Sequence, residues 1–248
     1  MEDLLLRRRN LLMTSSPSSA PGVELYDYLQ QDGSTYFDTG VSIVKSAQVL
    51  TSFYAGNMIS PVIVGSDYIS PSSGNNWFLL MFAKYLSSNS NLQLQVQTQL
   101  SSGTAVAYAY KQVFYSNAYI KASVQGNASS YSSMLRYNAE SLEGAVLIDV
   151  EPNELNSVSR GKSYNGSINT DAAKLWIFGT NDVTYGPRTA EVGSSSAGAR
   201  LYYLKVYESG AVSHYYKPAI KDGIIGLYDT ATKTFISPTA GSPTVGNI

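Results

Sequence analysis

Residues 91–100 read NLQLQVQTQL. Leu92, Leu94, Val96, Thr98 and Leu100 alternate with Gln93, Gln95, Gln97 and Gln99. Successive side chains of a strand point to opposite faces, so this pattern predicts a strand with one dry and one wet face. Ser101-Ser102-Gly103 supplies a turn, and TAVAYAYKQVF (residues 104–114) continues as a second strand. The same pattern recurs further along the chain. KLWIF (174–178) is a short continuous apolar run, as in a strand buried on both faces. ARLYYLKVYE (199–208) and AVSHYY (211–216) flank Ser209-Gly210, a two-residue hairpin signal. Residues 226–229 and 234–237 form another hairpin around Thr230-Ala231-Thr232-Lys233. The body has no long amphipathic helical pattern, and only Ser132 to Gly144 tolerates helix. Many short strands separated by turns predict an all-β fold, a two-sheet antiparallel jelly-roll sandwich.

Composition agrees and excludes several functions. The chain has 248 residues, 44% of them hydrophobic and 14% charged, with 20 Tyr and 20 Gly. Charged residues usually make up about 25%, so solubility here falls largely to Ser, Thr, Asn, Gln and Tyr. With no Cys, disulfides, thiolate catalysis and cysteine-ligated metal sites are excluded. A single His excludes a His-rich metal site within one chain. Seventeen Lys+Arg against 18 Asp+Glu give a formal net charge of -1, without the basic surplus of a nucleic-acid binder. The longest apolar run, Trp77 to Ala83, is far shorter than the ~20 residues of a membrane-spanning helix.

The first thirteen residues, MEDLLLRRRNLLM, differ from the rest. Acids precede the apolar run and arginines follow it, the reverse of a secretory signal. Glu2 and Asp3 at the start and Arg7 to Arg9 later suit a short helix dipole, although Arg8 interrupts the leucine stripe. Leu4, Leu5, Leu6, Leu11 and Leu12, with Arg7, Arg8 and Arg9, are expected to dock on a partner: the leucines in apolar pockets, the arginines on acidic groups or helix carbonyls. TSSPSSAPG (14–22) reads as a Ser/Pro linker, which leaves 23–248 as the sandwich domain.

Tyr28-Leu29-Gln30-Gln31-Asp32-Gly33-Ser34-Thr35-Tyr36-Phe37-Asp38-Thr39-Gly40-Val41 resembles the opening of the concanavalin A-like, laminin-G-like jelly-roll domains of tailed phages and gut bacteria. Leu175 to Asn181, Ala199 to Glu208, Tyr216 to Ala219 and Gly226 to Asp229 resemble later strands of the same family, so the resemblance spans about residues 26–242. The arm is similar to those that anchor such domains to phage virions. The resemblance implies a non-enzymatic virion structural protein. Its arm would hold it to a capsid, tail or fibre protein, and its domain would bind host-surface glycans. It further implies a homo-oligomer in an extracellular particle, with no nucleic-acid or membrane partner. The alternative is a carbohydrate-binding adhesin module and, less favoured, a glycan hydrolase.

Several residue groups carry chemistry. Asp149 and Glu151 would share one strand face, as glycosidase carboxylates do, but Leu147 stands where a first carboxylate is needed and Pro152 ends the strand. His214 follows Ser213 directly, so the two point to opposite faces, and His214 is expected on the surface or rim. Asp67, Asp171, Asp182 and Asp222 lie in loop-like text. They could hold a structural Ca²⁺, but none has EF-hand spacing, and no cofactor is expected. For glycans, Trp77 with Asn75, Asn76, Tyr68 and Tyr85 supplies aromatic faces and polar groups. Trp77 also opens an apolar run that suits the core, and Trp176 is expected in the core.

Overall fold

The computed structural model describes residues 20–44, 47–54, 59–68, 80–86, 91–99, 106–113, 118–126, 133–141, 149–160, 172–182, 186–195 and 198–247. The docking residues of 1–13 lie outside that set. In chain order its strands are β1 (Val23–Leu25), β2 (Tyr28–Gln30), β3 (Phe37–Val44), β4 (Gln48–Tyr54), β5 (Ile59–Tyr68), β6 (Leu80–Leu86), β7 (Asn91–Gln99), β8 (Val106–Val113), β9 (Ala118–Gly126) and β10 (Ser133–Ser141). A 3-10 turn at Pro152–Glu154 precedes β11 (Ser157–Arg160), β12 (Ala172–Ile177), β13 (Thr180–Asp182), β14 (Gly186–Arg188) and β15 (Ala190–Ser195). The last strands are β16 (Arg200–Glu208), β17 (Ala211–Lys221), β18 (Ile224–Asp229), β19 (Thr234–Ile236) and β20 (Thr244–Gly246).

Two sheets result. The eleven-stranded sheet runs β11-β10-β9-β4-β16-β17-β18-β19, with β1 on β17 and β2 joining β16 to β20. The nine-stranded sheet runs β14-β13-β5-β6-β7-β8, with β12 between β3 and β5 and with β15 also on β5. The Gln-alternating stretch is β7, paired antiparallel with β8 from Leu92↔Val113 to Gln99↔Val106, as its pattern predicts. The hydrophobic core lies between the sheets. Val49, Phe53, Leu204 and Val206 come from one, Phe37, Ile63, Val64, Leu175 and Ile177 from the other, and all are fully buried. Burying one such side chain contributes about 1.5–3 kcal/mol before entropy is counted. The fold is an all-β antiparallel sandwich of the jelly-roll type.

KLWIF is the central strand its composition implies. Leu175, Trp176 and Ile177 are buried, and β12 pairs antiparallel with both β3 and β5. The chain then turns at Phe178, whose φ is 56°, and returns as β13, parallel to β5. A bulky residue with positive φ is strained. Here full burial of the ring and a Phe178 N–H bond to Ile63 O at 2.9 Å offset it. Gly65 permits the crossing, because a Cβ there would lie 2.2 Å from Gly179 O.

Within the helix-tolerant stretch, residues 133–141 form strand β10, in keeping with the all-β fold. Leu135, Tyr137 and Ala139 form a period-two row into the core, and that burial overrides the helix formers among them. Ser209 (φ 52°) and Gly210 (φ 81°) make the expected two-residue turn between β16 and β17. Asp222 and Gly223 do the same between β17 and β18. Among the described residues, no helix is long and apolar enough to cross a membrane.

Candidate functional site

The family-like opening turns out to hold the fold together. Asp32 accepts from Ser34 N, Thr35 N and both hydroxyls of those residues at 2.8–3.0 Å, and from Ser242 N at 2.6 Å. Partial burial alone would raise its pKa, but the Ser242 and Ser34 amides and the two hydroxyls outweigh it and hold the carboxyl far below the usual range. This clasp ties the loop between β2 and β3 to the C-terminal segment.

The chemically richest surface is the outer face of the eleven-stranded sheet. A bulge in β16, between Leu201 and Tyr203 in the pairing with β4, turns two successive tyrosines outward. Arg200, Tyr202, Tyr203, Lys205 and Tyr207 therefore share that face while Leu201, Leu204 and Val206 enter the core. Beside them lie Leu50 and Tyr54 of β4, Tyr28 of β2 and Tyr215 of β17. Lys217 follows Tyr215 at strand spacing on the same face, and its Nζ lies 4.9 Å from that ring.

The face has two ends. At the Arg200 end the guanidinium lies 4.4 Å from the Tyr28 ring centre and 5.7 Å from that of Tyr54, and Nε donates to Gln30 Oε1 at 2.9 Å. Tyr28, Tyr54 and Arg200 are half-exposed. Tyr202 is buried beneath, edge-on to Tyr28. Burial pushes its phenol up to about 12, against the pull of Arg200.

At the Lys205 end, residues 149–155 cross the face as a strap. Lys205 Nζ donates to Glu151 Oε1 at 3.0 Å and to Val150 O at 3.3 Å. The Tyr207 hydroxyl donates to Glu151 Oε2 at 2.8 Å, and Val150 N donates to the Tyr203 hydroxyl at 3.3 Å. The Tyr215 hydroxyl donates to Asp149, and Lys217 Nζ lies 3.6 Å from Asp149 Oδ2. Leu155 is buried against Leu50 and the tyrosines, with Val150 packed beside it. Pro152 opens the 3-10 turn, which closes with Glu154 Oε2 accepting from Glu151 N.

The strap's electrostatics are clear. Burial alone would raise the Glu151 carboxyl, but the Tyr207 hydroxyl and the Lys205 ammonium outweigh it and hold it below its ordinary value. Burial and the Glu151 contact push the Tyr207 phenol well above the usual range. Asp149 and Glu151 therefore do not share a strand face. They sit on a loop, each engaged by a lysine and a tyrosine, and the Glu151 carboxyl, held below its ordinary value, is unsuited to general-acid work.

His214 is half-buried rather than fully exposed: its Nδ1 lies 2.7 Å from Oδ2 of buried Asp229, and its ring stacks on Tyr216. Asp229 further accepts from Tyr215 N, Ala231 N and the Thr232 hydroxyl, which fixes the turn between β18 and β19. Ser213 donates to Val206 O.

The sequence-derived glycan set is only partly placed. Asn75, Asn76 and Trp77 lie outside the described residues. Tyr68 ends β5, and Tyr85 lies near the end of β6. These strands run antiparallel through Val62↔Phe82 and Val64↔Met81, so the two tyrosine backbones stand at opposite ends of the pair, about 30 Å apart at the strand rise. Trp176 is in the core, 5.6 Å from the Tyr36 ring, as expected. Of the calcium candidates, Asp67 and Asp182 prove to be in strands, Asp222 is in a hairpin turn, and Asp171 lies outside the described residues. No group of three or more His, Asp or Glu suited to a metal occurs among the described residues.

No protein-family model and no curated protein matches this chain. Among solved structures it is similar to the mouse laminin alpha1 chain, domains LG4-5, at 13% identity and a TM-score of 0.42. The match covers 92% of this chain and 47% of that one, so the chain spans about half of its length. The sandwich assignment rests on the strand pairing itself.

Proposed function

We propose that this chain is a non-catalytic display module: a β-sandwich carried on an N-terminal arm in the particle of a tailed phage, where the sandwich binds host-surface glycans. The observation that carries the binding role is the Arg200 end of the outer face. There two half-exposed tyrosine rings, a guanidinium and the Gln30 amide share one surface. Aromatic faces suit the C–H surfaces of a sugar, and the guanidinium and amide suit its hydroxyls. The engagement of Asp149 and Glu151 by lysines and tyrosines supports a binding role over hydrolysis.

The anchoring role is supported by the sequence of the arm, five leucines and three arginines ahead of a Ser/Pro linker. Among the described residues, pairing begins at Val23, where β1 meets β17. In this reading residues 1–13 dock on a capsid, tail or fibre protein, the assembly is a homo-oligomer, and the module takes no cofactor. Particles assembled with a chain lacking residues 1–22 test the anchor. Loss of incorporation with an unchanged circular-dichroism spectrum and Tm is expected, and normal incorporation contradicts it. A glycan array probed with the full chain tests the ligand: binding is expected, with loss in Arg200→Ala and Tyr54→Ala. Chelation with EDTA is expected to leave Tm unchanged.

A further inference from the structure

The strap shows what the Lys205 end of the face recognises. Two lysines and two tyrosine hydroxyls take its two carboxylates. Tyr203 and Lys205 also read the main-chain N–H and C=O of Val150. Contacts to the N–H and C=O of one amino-acid residue, which belong to two successive peptide units, match a peptide main chain. Two apolar anchors, Val150 and Leu155, complete the fit against Leu50, Tyr202, Tyr203 and Tyr207.

Several features make the occupant exchangeable. Residues 149–155 form no strand pairing, and the turn at their centre buries no residue. The Asp149 and Glu151 side chains are 42% and 52% exposed, while Lys205 beneath is only 7% exposed. The acidic part of the strap, residues 149–151, is thus a partly exposed ligand over a well-embedded cation, while Leu155 pins the far end. Exposed ion pairs hold weakly, and a segment outside any ladder lifts without breaking a sheet.

We propose that the Lys205 end is a docking site for an acidic peptide segment of a partner protein, with residues 149–155 as its displaceable in-chain occupant. The partner segment carries two carboxylates flanking one apolar residue, followed by a second apolar anchor, as in Asp149-Val150-Glu151 and Leu155. The polar contacts of this site use none of the Arg200-end groups that would meet a sugar, so this proposal stands or falls independently of glycan binding there.

The probe is a labelled, end-capped peptide of residues 147–156, titrated by fluorescence anisotropy against the full chain. Three forms are compared: wild type, Asp149→Asn/Glu151→Gln, and the same pair with Leu155→Ala. Circular dichroism and Tm confirm that each is folded, and the double variant, which keeps the buried leucine, guards against loss of fold in the triple one. The peptide is expected to bind the double variant at least about tenfold more tightly than wild type. That gain is expected to vanish when Lys205→Met and Lys217→Met are added, or when the peptide itself carries Asn and Gln at its acidic positions. Equal binding to wild type and double variant, binding indifferent to the lysines, or no binding to a folded double variant would overturn the proposal. So would displacement of the peptide by polygalacturonate but not by excess unlabelled peptide, which would reassign the site to acidic polysaccharide.

Discussion

The two ends of the outer face use the same residue types differently. At the Arg200 end a cation lies over tyrosine rings at a half-exposed surface. At the Lys205 end the cations lie beside a tyrosine ring too, but a strap of the chain's own acids covers them. The difference comes from what crosses above the sheet: Pro152 turns the chain, Leu155 pins it, and Asn156 N donates to Asn138 Oδ1 of β10 at 2.9 Å. Tyrosine and cation content alone does not mark a ligand site, because a segment distant in sequence decides which end stays accessible.

Breaking the covered end has the largest expected effect. Leu155→Ala removes a buried side chain from the strap cluster and should cost about 2–3 kcal/mol in urea unfolding. A loss under about 0.5 kcal/mol would mean that the strap is not pinned there. Lys205→Ala comes next, at about 1–2 kcal/mol, discounted because Glu151 is half-exposed.

Acid provides a gentler probe. The folded-state pKa of Glu151 is depressed, so its contribution is full above the ordinary value of 4.5 and fades as pH falls through the lower folded value. Amide exchange around 149–155 should therefore rise, relative to the Arg200 end, as pH drops below 4.5. A parallel rise at both ends, after correction for intrinsic rates, would remove the electrostatic distinction between them. The smallest effect is expected at the uncovered end: Arg200→Ala should change stability by no more than about 1 kcal/mol. A larger loss would make Arg200 a structural residue.

The sequence reveals strands better than it reveals surfaces. β7, β12 and the hairpins β16–β17 and β18–β19 follow directly from period two, apolar runs and turn residues. β10 is obscured because Met134, Arg136, Ala139 and Glu140 favour helix, and only core burial of Leu135 and Tyr137 decides otherwise. The outer face depends on a bulge that turns both Tyr202 and Tyr203 outward, and strict alternation cannot anticipate this. The reading of Asp149 and Glu151 as strand neighbours missed that Pro152 starts a turn, which carries both acids onto lysines more than fifty residues away in sequence. A run of tyrosines around one lysine and one arginine in ARLYYLKVYE was the available signal.

The most direct test is a glycan titration of the full chain, followed by NMR chemical shifts with any sugar that the array identifies. Perturbations at Tyr28, Tyr54 and Arg200, with Lys205 and Lys217 unmoved, are the expected result. Perturbations confined to the nine-stranded sheet or to the Lys205 end, or no binding across a host-glycan panel, would contradict the account.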